Sequence, residues 1–144
     1  MPCPVWVRPS VLVDVPTHLP EHNHKGGYVA KFMFVFRGGA FVQEGLSPAE
    51  LGTHLQKWTA WIGDLAKAGA HEGGAAVQGG GKTIRGSRKA VTDGPYAEAK
   101  DLVTGNLVVN APSLDEATRL ALGCPIFEFD GSVEVRPLLE REVM

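Results

Sequence analysis

The segment from Thr92 to Asp101 brings carboxylates, a lysine and a tyrosine into one short stretch of the chain. It begins with Asp-Gly-Pro, a strong turn signal, and a turn can direct such side chains into a cleft. A carboxylate in a cleft can take up a proton from a bound molecule, and Asp93 is our candidate for this catalytic role. A turn aspartate more often accepts hydrogen bonds from nearby backbone amides, and that interpretation is favoured for Asp93.

Charged side chains near this turn supply most of the candidate substrate-binding residues. Glu98 and Lys100 share one side of an extended segment, so they form either a structural ion pair, which is favoured, or a clamp for a substrate. Arg136 lies on the charged face of the last predicted strand, where it either pairs with Glu98 or Asp93 or binds a substrate carboxylate in bidentate fashion. The candidate substrate-binding residues are Trp58, Tyr96, Glu98, Lys100 and Arg136.

A long helix must position Trp58. Ser47 and Glu50 can form a capping box at its start, and Gly69 is suited to its end. Between them a single apolar stripe recurs at helical spacing, through Leu51, Leu55, Trp58, Ile62 and Leu65. Trp58 is therefore favoured as a core residue over the wall of a pocket.

Strands are predicted on both sides of this helix. Tyr28–Phe36 is almost wholly apolar, which is typical of a strand covered on both faces. Residues 82–85 and 88–92 predict a hairpin around a two-residue loop at Gly86-Ser87, and its basic side chains favour a solvated surface over an anion site. There follow a strand containing residues 107–109, a second capping box at Ser113, a helix through residue 121, and an alternating strand at 133–137.

This order predicts an α+β domain, ferredoxin-like βαββαβ with an extra hairpin, in which both helices cover one face of an antiparallel sheet. We assign the domain to residues 28–144 and an extended, proline-rich arm to residues 1–27. The open sheet face needs a cover, and a second subunit is the natural one. We therefore expect a homodimer.

Histidines and glycines elsewhere favour less specific interpretations. His18, His22 and His24 lie close together in the arm, but without a nearby cysteine a solvated loop is favoured over a metal site. His71, just after the helix, is either an exposed loop histidine, which is favoured, or a proton carrier at a cleft edge. The glycine-rich segment 73–81 lacks the spacing of a phosphate-binding loop, and a strand follows it. We expect no metal and no cofactor.

Composition limits the classes of partner. The chain has 144 residues, 44% of them hydrophobic, and a net charge of −2, so no general positive field favours nucleic acid. No apolar run is long enough for a membrane helix, and the amino-terminal region does not resemble a signal peptide. We expect a cytoplasmic protein. Cys3 and Cys124 form neither a metal motif nor a disulfide framework, and Cys124 is favoured as a buried thiol.

Four segments together resemble the YCII-related family, which is known for a DGPF motif. They are residues 92–100, 113–117, 124–125 and 131–137, and the resemblance runs from Tyr28 onward, about four-fifths of the 144 residues. Tyr96 stands where the family motif has phenylalanine, and Asp101 where it has glutamate. Trp58 aligns with a first-helix histidine that the wider family is presumed to use for proton transfer, and His54 lies one helical turn earlier.

The resemblance implies a dimeric α/β barrel and leaves three interpretations of function. The first is a cofactor-independent lyase or isomerase acting on a small, aromatic or carboxylated ligand, with Asp93 moving a proton and Lys100 and Arg136 holding charge. The second is a noncatalytic small-ligand-binding or regulatory protein, for example a partner of a sigma factor. In the third, the Thr92–Asp101 segment is architectural and fixes the hairpin to the sheet.

Overall fold

The computed structural model describes residues 29–95 and 97–139. The strands in these ranges are β1 (Ala30–Arg37), β2 (His71–Ala76), β3 (Lys82–Arg85), β4 (Ala90–Asp93), β5 (Val103–Ala111) and β6 (Ser132–Pro137). The α-helices are α1 (Pro48–Lys67) and α2 (Leu114–Ala121), and short 3-10 helices span Ala40–Val42, Ala99–Asp101 and Pro125–Phe129. The predicted arm, its three histidines and Tyr96 lie outside the described residues.

The main sheet has the strand order β2-β5-β1-β6, and all of its pairs are antiparallel. The hairpin β3–β4 forms a separate two-stranded sheet, inserted between β2 and β5 along the chain. Both helices contribute side chains to the single core on one face of the main sheet. The predicted α+β, ferredoxin-like class is therefore confirmed, with a sheet that is open.

The core lies between this sheet and the two helices. Phe32, Phe34 and Phe36 alternate along β1 and are all buried, as expected when every second side chain of a strand points to the same face. They contact residues from both helices, among them Trp61 of α1 and Ala117 of α2. The ring of Phe34 stacks on that of Trp61 with 6.2 Å between centroids. Burial of these aromatic rings removes large apolar areas from water and so stabilises the fold.

Neither of the two described α-helices packs on the other face of the sheet, because both contribute to the core on the first face. Met33 pairs with Val108 in register and Val35 is the next outward residue on β1; all three are half-buried. Charged side chains surround them, with Arg37 bonded to Glu134 at 3.3 Å on one side. β1 is thus covered on one face within the described chain, whereas its sequence predicted cover on both.

The capping prediction for α1 is confirmed, and the predicted buried face is correct in part, because Leu65 is buried and Trp58 and Ile62 pack against the core. Ser47 accepts from the backbone N–H of Glu50, and the Glu50 carboxylate accepts from that of Ser47. The buried residues of α1 are His54, Trp61 and Leu65, whereas Leu55 of the predicted stripe is 38% exposed. The helix is rotated relative to the prediction because docking on the sheet selects the face, and the large Trp61 ring fits over β1.

Other local predictions need correction. The hairpin loop has four residues, Gly86 to Lys89, because Arg85 pairs with Ala90; Lys89 adopts a positive φ of 57° there. The strand that the βαββαβ order requires before the hairpin, whose bounds were not predicted, is β2 at 71–76, and it pairs with β5. At α2, Ser113 accepts from the N–H of Glu116, but the Glu116 carboxylate binds Arg119, so half of the predicted capping box forms.

No helix in the described ranges is both long enough and apolar enough to cross a membrane.

Candidate functional site

A cavity of about 410 Å³ lies between α1 and the β2–β5 side of the sheet. We call it the α1 cavity. Its size falls within the range of small-molecule sites. Leu55, Trp58 and Ile62 of α1 line one side, and Phe36 of β1 and Leu107 of β5 lie opposite. Of the α1 side chains predicted to form the core, Leu55 therefore forms a cavity wall, whereas Trp58 and Ile62 both line the cavity and pack against the core.

Glycines on β2 and β5 help to leave this space open. Gly74 pairs with Leu107, and Gly105 pairs with Ala76, so both glycines share the sheet face of the buried Leu107. A Cβ on Gly105 would lie 2.8 Å from the carbonyl oxygen of Ala75, which is closer than real side chains approach. The two backbones can approach this closely because residue 105 has no side chain. A surface of glycine and alanine thus faces α1.

The cavity lining is mostly apolar. His71 is the one ionisable residue among the described residues that line it. The Thr104 hydroxyl donates to the carbonyl oxygen of Gly38 at 3.1 Å and is therefore already bonded. Asn106 pairs with Val35 in register, so its side chain points to the open sheet face. A bound molecule would meet aromatic and aliphatic surface, with His71 as the ionisable side chain among the described lining residues.

A polar cluster lies on the other side of Trp58. His54 is 2% exposed, and its Nδ1 lies 2.8 Å from Oε1 of Glu128. The Trp58 indole Nε1–H donates to Nε2 of His54 at 3.0 Å. Since Nε2 accepts, Nδ1 must hold the proton of the neutral ring and donate it to Glu128. Both ring nitrogens are therefore satisfied inside the fold.

Glu128 links this cluster to the surface. Its other carboxylate oxygen binds the Lys57 ammonium. Hydrogen bonds, first from Lys57 and then from His54, lower the pKa of Glu128 below its ordinary value, because both favour the charged carboxylate. A shallow recess of about 360 Å³ adjoins His54 and Glu128 on the side away from Trp58.

The structure places most predicted site residues outside the α1 cavity. Asp93 ends β4, where its side chain is 77% exposed and bonded to Lys82 at 2.6 Å. Glu98 is exposed. The Lys100 ammonium is 3.9 Å from a carboxylate oxygen of Asp101. Of the predicted residues that the structure describes, Trp58 alone lines the cavity.

Asp93 and Arg136 are not brought together. Arg136 lies on β6 in the main sheet and donates to Glu134 at 3.1 Å, whereas Asp93 belongs to the separate hairpin sheet. The turn after the motif has structural contacts instead: Arg37 donates to the carbonyl oxygen of Asp101 at 3.1 Å, and the Gly38 N–H donates to that of Leu102 at 2.9 Å. These bonds hold the end of the motif segment against the end of β1.

Sequence reasoning missed several residues of this region. His54 was passed over in favour of Trp58, although His54, Trp58, Trp61 and Leu65 recur at helical spacing and define a second candidate face of α1. Glu128 was missed because no local signal connects it to a histidine that is 74 positions earlier. His71 was favoured as an exposed loop residue, but it is half-buried at the start of β2 and lines the cavity.

The cysteine prediction is confirmed for Cys124. Its side chain is buried, and burial raises the pKa of the thiol to about 12. The thiolate, which is the reactive form, is therefore scarce at neutral pH. Cys124 is a packing residue beneath the 3-10 helix Pro125–Phe129.

A family model described as the YCII-related domain matches residues 42–142, which is more than half of the 144-residue chain. The match includes α1, α2 and every strand after β1. None of the curated proteins compared with the chain matches it significantly. The matched region contains the helix that forms one wall of the α1 cavity and the two strands, β2 and β5, that face it.

Proposed function

We propose, from the premise that this chain belongs to the YCII-related family, that it is a noncatalytic binding protein for a small, uncharged and largely apolar molecule. The observation that supports this function is the α1 cavity, with its volume of about 410 Å³ and its mainly aromatic and aliphatic lining. Cavities of this kind bind ligands by removing apolar surface from water, with a few polar groups setting orientation.

The lining favours an aromatic ligand. Phe36, Phe41 and Trp58 all contribute to it, and aromatic rings gain from edge-to-face or offset contacts beyond the burial of area. Trp58 and Phe36 already meet edge to face with 5.1 Å between centroids. A flat ring system placed beside them would extend this arrangement, and a hydroxyl or carbonyl group on it can reach His71.

The same lining disfavours a carboxylated ligand. Lys100 and Arg136, which were predicted to hold substrate charge, do not line the cavity. A carboxylate buried without a cation or several hydrogen bonds costs several kcal/mol, roughly, in lost solvation. Proton transfer by Asp93 likewise has no support from the cavity, because Asp93 lies outside its lining and is bonded to Lys82.

Titration with N-phenyl-1-naphthylamine tests the binding proposal, because this neutral aromatic probe becomes fluorescent in apolar sites. We expect saturable, one-to-one binding to the wild-type protein. Leu55→Trp, which adds bulk at the cavity wall, should weaken binding by about tenfold or more. Gln56→Trp is the matched control, because the exposed Gln56 is the next residue of α1 and does not line the cavity.

Gln56→Trp should bind the probe within about twofold of wild type, a change near the limit of an affinity measurement. Equal weakening by both tryptophan substitutions would count against the α1 cavity as the site. Absence of saturable probe binding to a folded wild-type protein would reject the proposed function. Circular dichroism on each variant confirms that it is folded.

We also propose that a second copy of the chain covers the open sheet face. Met33, Val35 and Val108 form its apolar centre. Charges of both signs lie around them, including the pairs Arg37–Glu134 and Lys31–Glu72. A twofold interface places identical surfaces against each other, and a face with both signs of charge can do this without net repulsion.

Sedimentation velocity tests this assembly. We expect a dimer for the wild-type protein and a monomer for Val35→Lys, because an unpaired ammonium in the apolar centre would be desolvated on association. Val91→Lys on the hairpin is the control and should stay dimeric. A monomeric wild-type protein at micromolar concentration would contradict the proposal.

A further inference from the structure

We propose that His54 is a positioning residue for the α1 cavity: it holds the indole of Trp58 in the cavity wall, and its protonation releases that ring and weakens ligand binding. This inference rests on the proposed ligand binding and adds its regulation by pH. Its basis is the continuous hydrogen-bonded series from Glu128 through His54 to Trp58, in which only the last member lines the cavity.

The orientation of the Trp58 indole depends on an acceptor that His54 supplies only when neutral. The Nε1–H of Trp58 points at the unprotonated Nε2, 3.0 Å away. When His54 is doubly protonated, both of its nitrogens are donors, so two N–H groups would face each other at this distance. A buried donor without an acceptor is costly, and the indole has to turn away to relieve it.

Turning Trp58 changes the cavity because its ring packs on others. The ring lies 5.1 Å from Phe36 and 5.6 Å from Trp61, measured between centroids, and both contacts are edge to face. Phe36 also lines the cavity. A rotation of the indole therefore alters the wall directly and disturbs the neighbouring aromatic surface that a ligand would contact.

Charged and aromatic groups from two elements face the His54 imidazole. The Glu128 carboxylate faces Nδ1 from the 3-10 helix, and Lys57 on α1 binds the same carboxylate. Glu50 lies across the outer recess, with its carboxylate bonded to the Ser47 amide. The ring of Phe129 meets the imidazole edge to face at 4.7 Å.

Probe affinity measured between pH 8 and pH 5 tests the proposal. For the wild-type protein we expect the affinity for N-phenyl-1-naphthylamine, which stays neutral in this range, to fall by about fivefold or more, as one unsatisfied buried donor implies. His54→Gln supplies a carbonyl oxygen to Trp58 but does not titrate. It should retain affinity at pH 8 and lose the pH dependence.

Two further variants separate the titration of His54 from the titration of other groups. His54→Leu offers no acceptor and should bind the probe weakly at every pH. His71→Gln removes the ionisable group that lines the cavity, and this variant should keep the wild-type pH dependence. A pH dependence that persists in His54→Gln, or disappears in His71→Gln, would overturn the proposal.

A measurement without ligand keeps this inference distinct from the proposed function. In ¹H–¹⁵N spectra of the full chain, the Trp58 indole signal, identified by its loss in Trp58→Phe, should shift as His54 titrates. A shift without probe binding would reject the ligand but support the positioning role. A Trp58 signal that does not change while the His54 ring protonates would overturn the positioning role, whether or not the probe binds.

Discussion

Two regions of the molecule contrast in sequence and in structure. One is the β3–β4 hairpin with the turn that follows it, and the other is the α1 cavity between α1 and β2. The hairpin and turn are conspicuous in the sequence, with basic residues, Asp93 and the Asp-Gly-Pro signal. The cleft is formed by glycines, alanines and apolar helix residues. The charged hairpin and turn form exposed ion pairs, whereas the glycines, alanines and apolar helix residues form the cavity.

Packing explains this difference. In the hairpin, Ile84 pairs with Val91 across the strands, and these side chains are 66% and 59% exposed. A two-stranded sheet without further cover contributes little stability. The cleft instead rests on the buried aromatic core, which fixes its shape. A high density of ionisable residues in a sequence therefore does not show where a cavity forms in the fold.

The largest expected effect is a difference in stability between matched valines. Val109→Ala removes buried methyl groups from β5 and should lower the free energy of unfolding by about 2 kcal/mol, from lost transfer energy and the cavity left behind. Val91→Ala on the hairpin should change it by less than about 0.5 kcal/mol. Urea denaturation measures both. Equal losses of unfolding free energy in the two variants would mean that the hairpin is as well packed as the core, which would contradict this explanation.

A smaller effect is expected at the start of α1. Ser47→Ala removes the hydroxyl that accepts from Glu50 and should cost about 1 kcal/mol of unfolding free energy. Ser87→Ala in the hairpin loop is the control and should have an effect under about 0.5 kcal/mol. Thermal unfolding with both variants measures the difference. If Ser47→Ala left the unfolding free energy unchanged, the stability of α1, which forms one wall of the α1 cavity, would not depend on its cap.

Acid should destabilise the cleft side through Glu128. Its folded-state pKa is lowered from 4.5, so its contribution to stability is present above the pKa of the unfolded chain and is lost as the pH falls through the lower, folded-state pKa. Glu128→Gln should therefore flatten the decline in stability below about pH 4.5, measured by urea denaturation at several pH values. A decline as steep as that of wild type would exclude Glu128 as a contributor.

The smallest effect is expected at the motif aspartate. Asp93→Asn breaks an exposed ion pair with Lys82, and such pairs contribute about 0 to 1 kcal/mol. We expect probe affinity within about twofold of wild type, since Asp93 does not line the cavity. A large loss of probe binding in Asp93→Asn would show that the motif contributes to the binding site, and would contradict the difference between the two regions.

Local patterns predicted most of the elements correctly. The aromatic run of β1, the capping box at Ser47 and the alternation in β6 each specify a conformation through neighbouring residues. The bounds of β2 were not predicted, because glycine and alanine favour strands weakly. Its strand conformation is supported by pairing with β5, a partner that sequence spacing does not reveal.

The functional region was harder to predict because it depends on how elements dock. The sequence of α1 offers two candidate buried faces. One is the stripe through Leu51 and Leu55, and the other passes through His54 and Trp61. Only docking of the helix on the sheet decides that Trp61 is buried and that Leu55 borders a cavity. Asp93 was chosen because its residue type and its turn are evident from the sequence. Neither property determines which groups surround the side chain in the fold.

The sequence alone determined the element order, the helix caps, the α+β class and the resemblance to the YCII-related family, because these depend on residues close together in the chain. The tertiary structure alone decided which face of α1 is buried, that a cavity remains above the glycines of β2 and β5, and that His54 meets Glu128. Those contacts join residues far apart in the chain, and their geometry is set by the packing of helix on sheet rather than by local spacing.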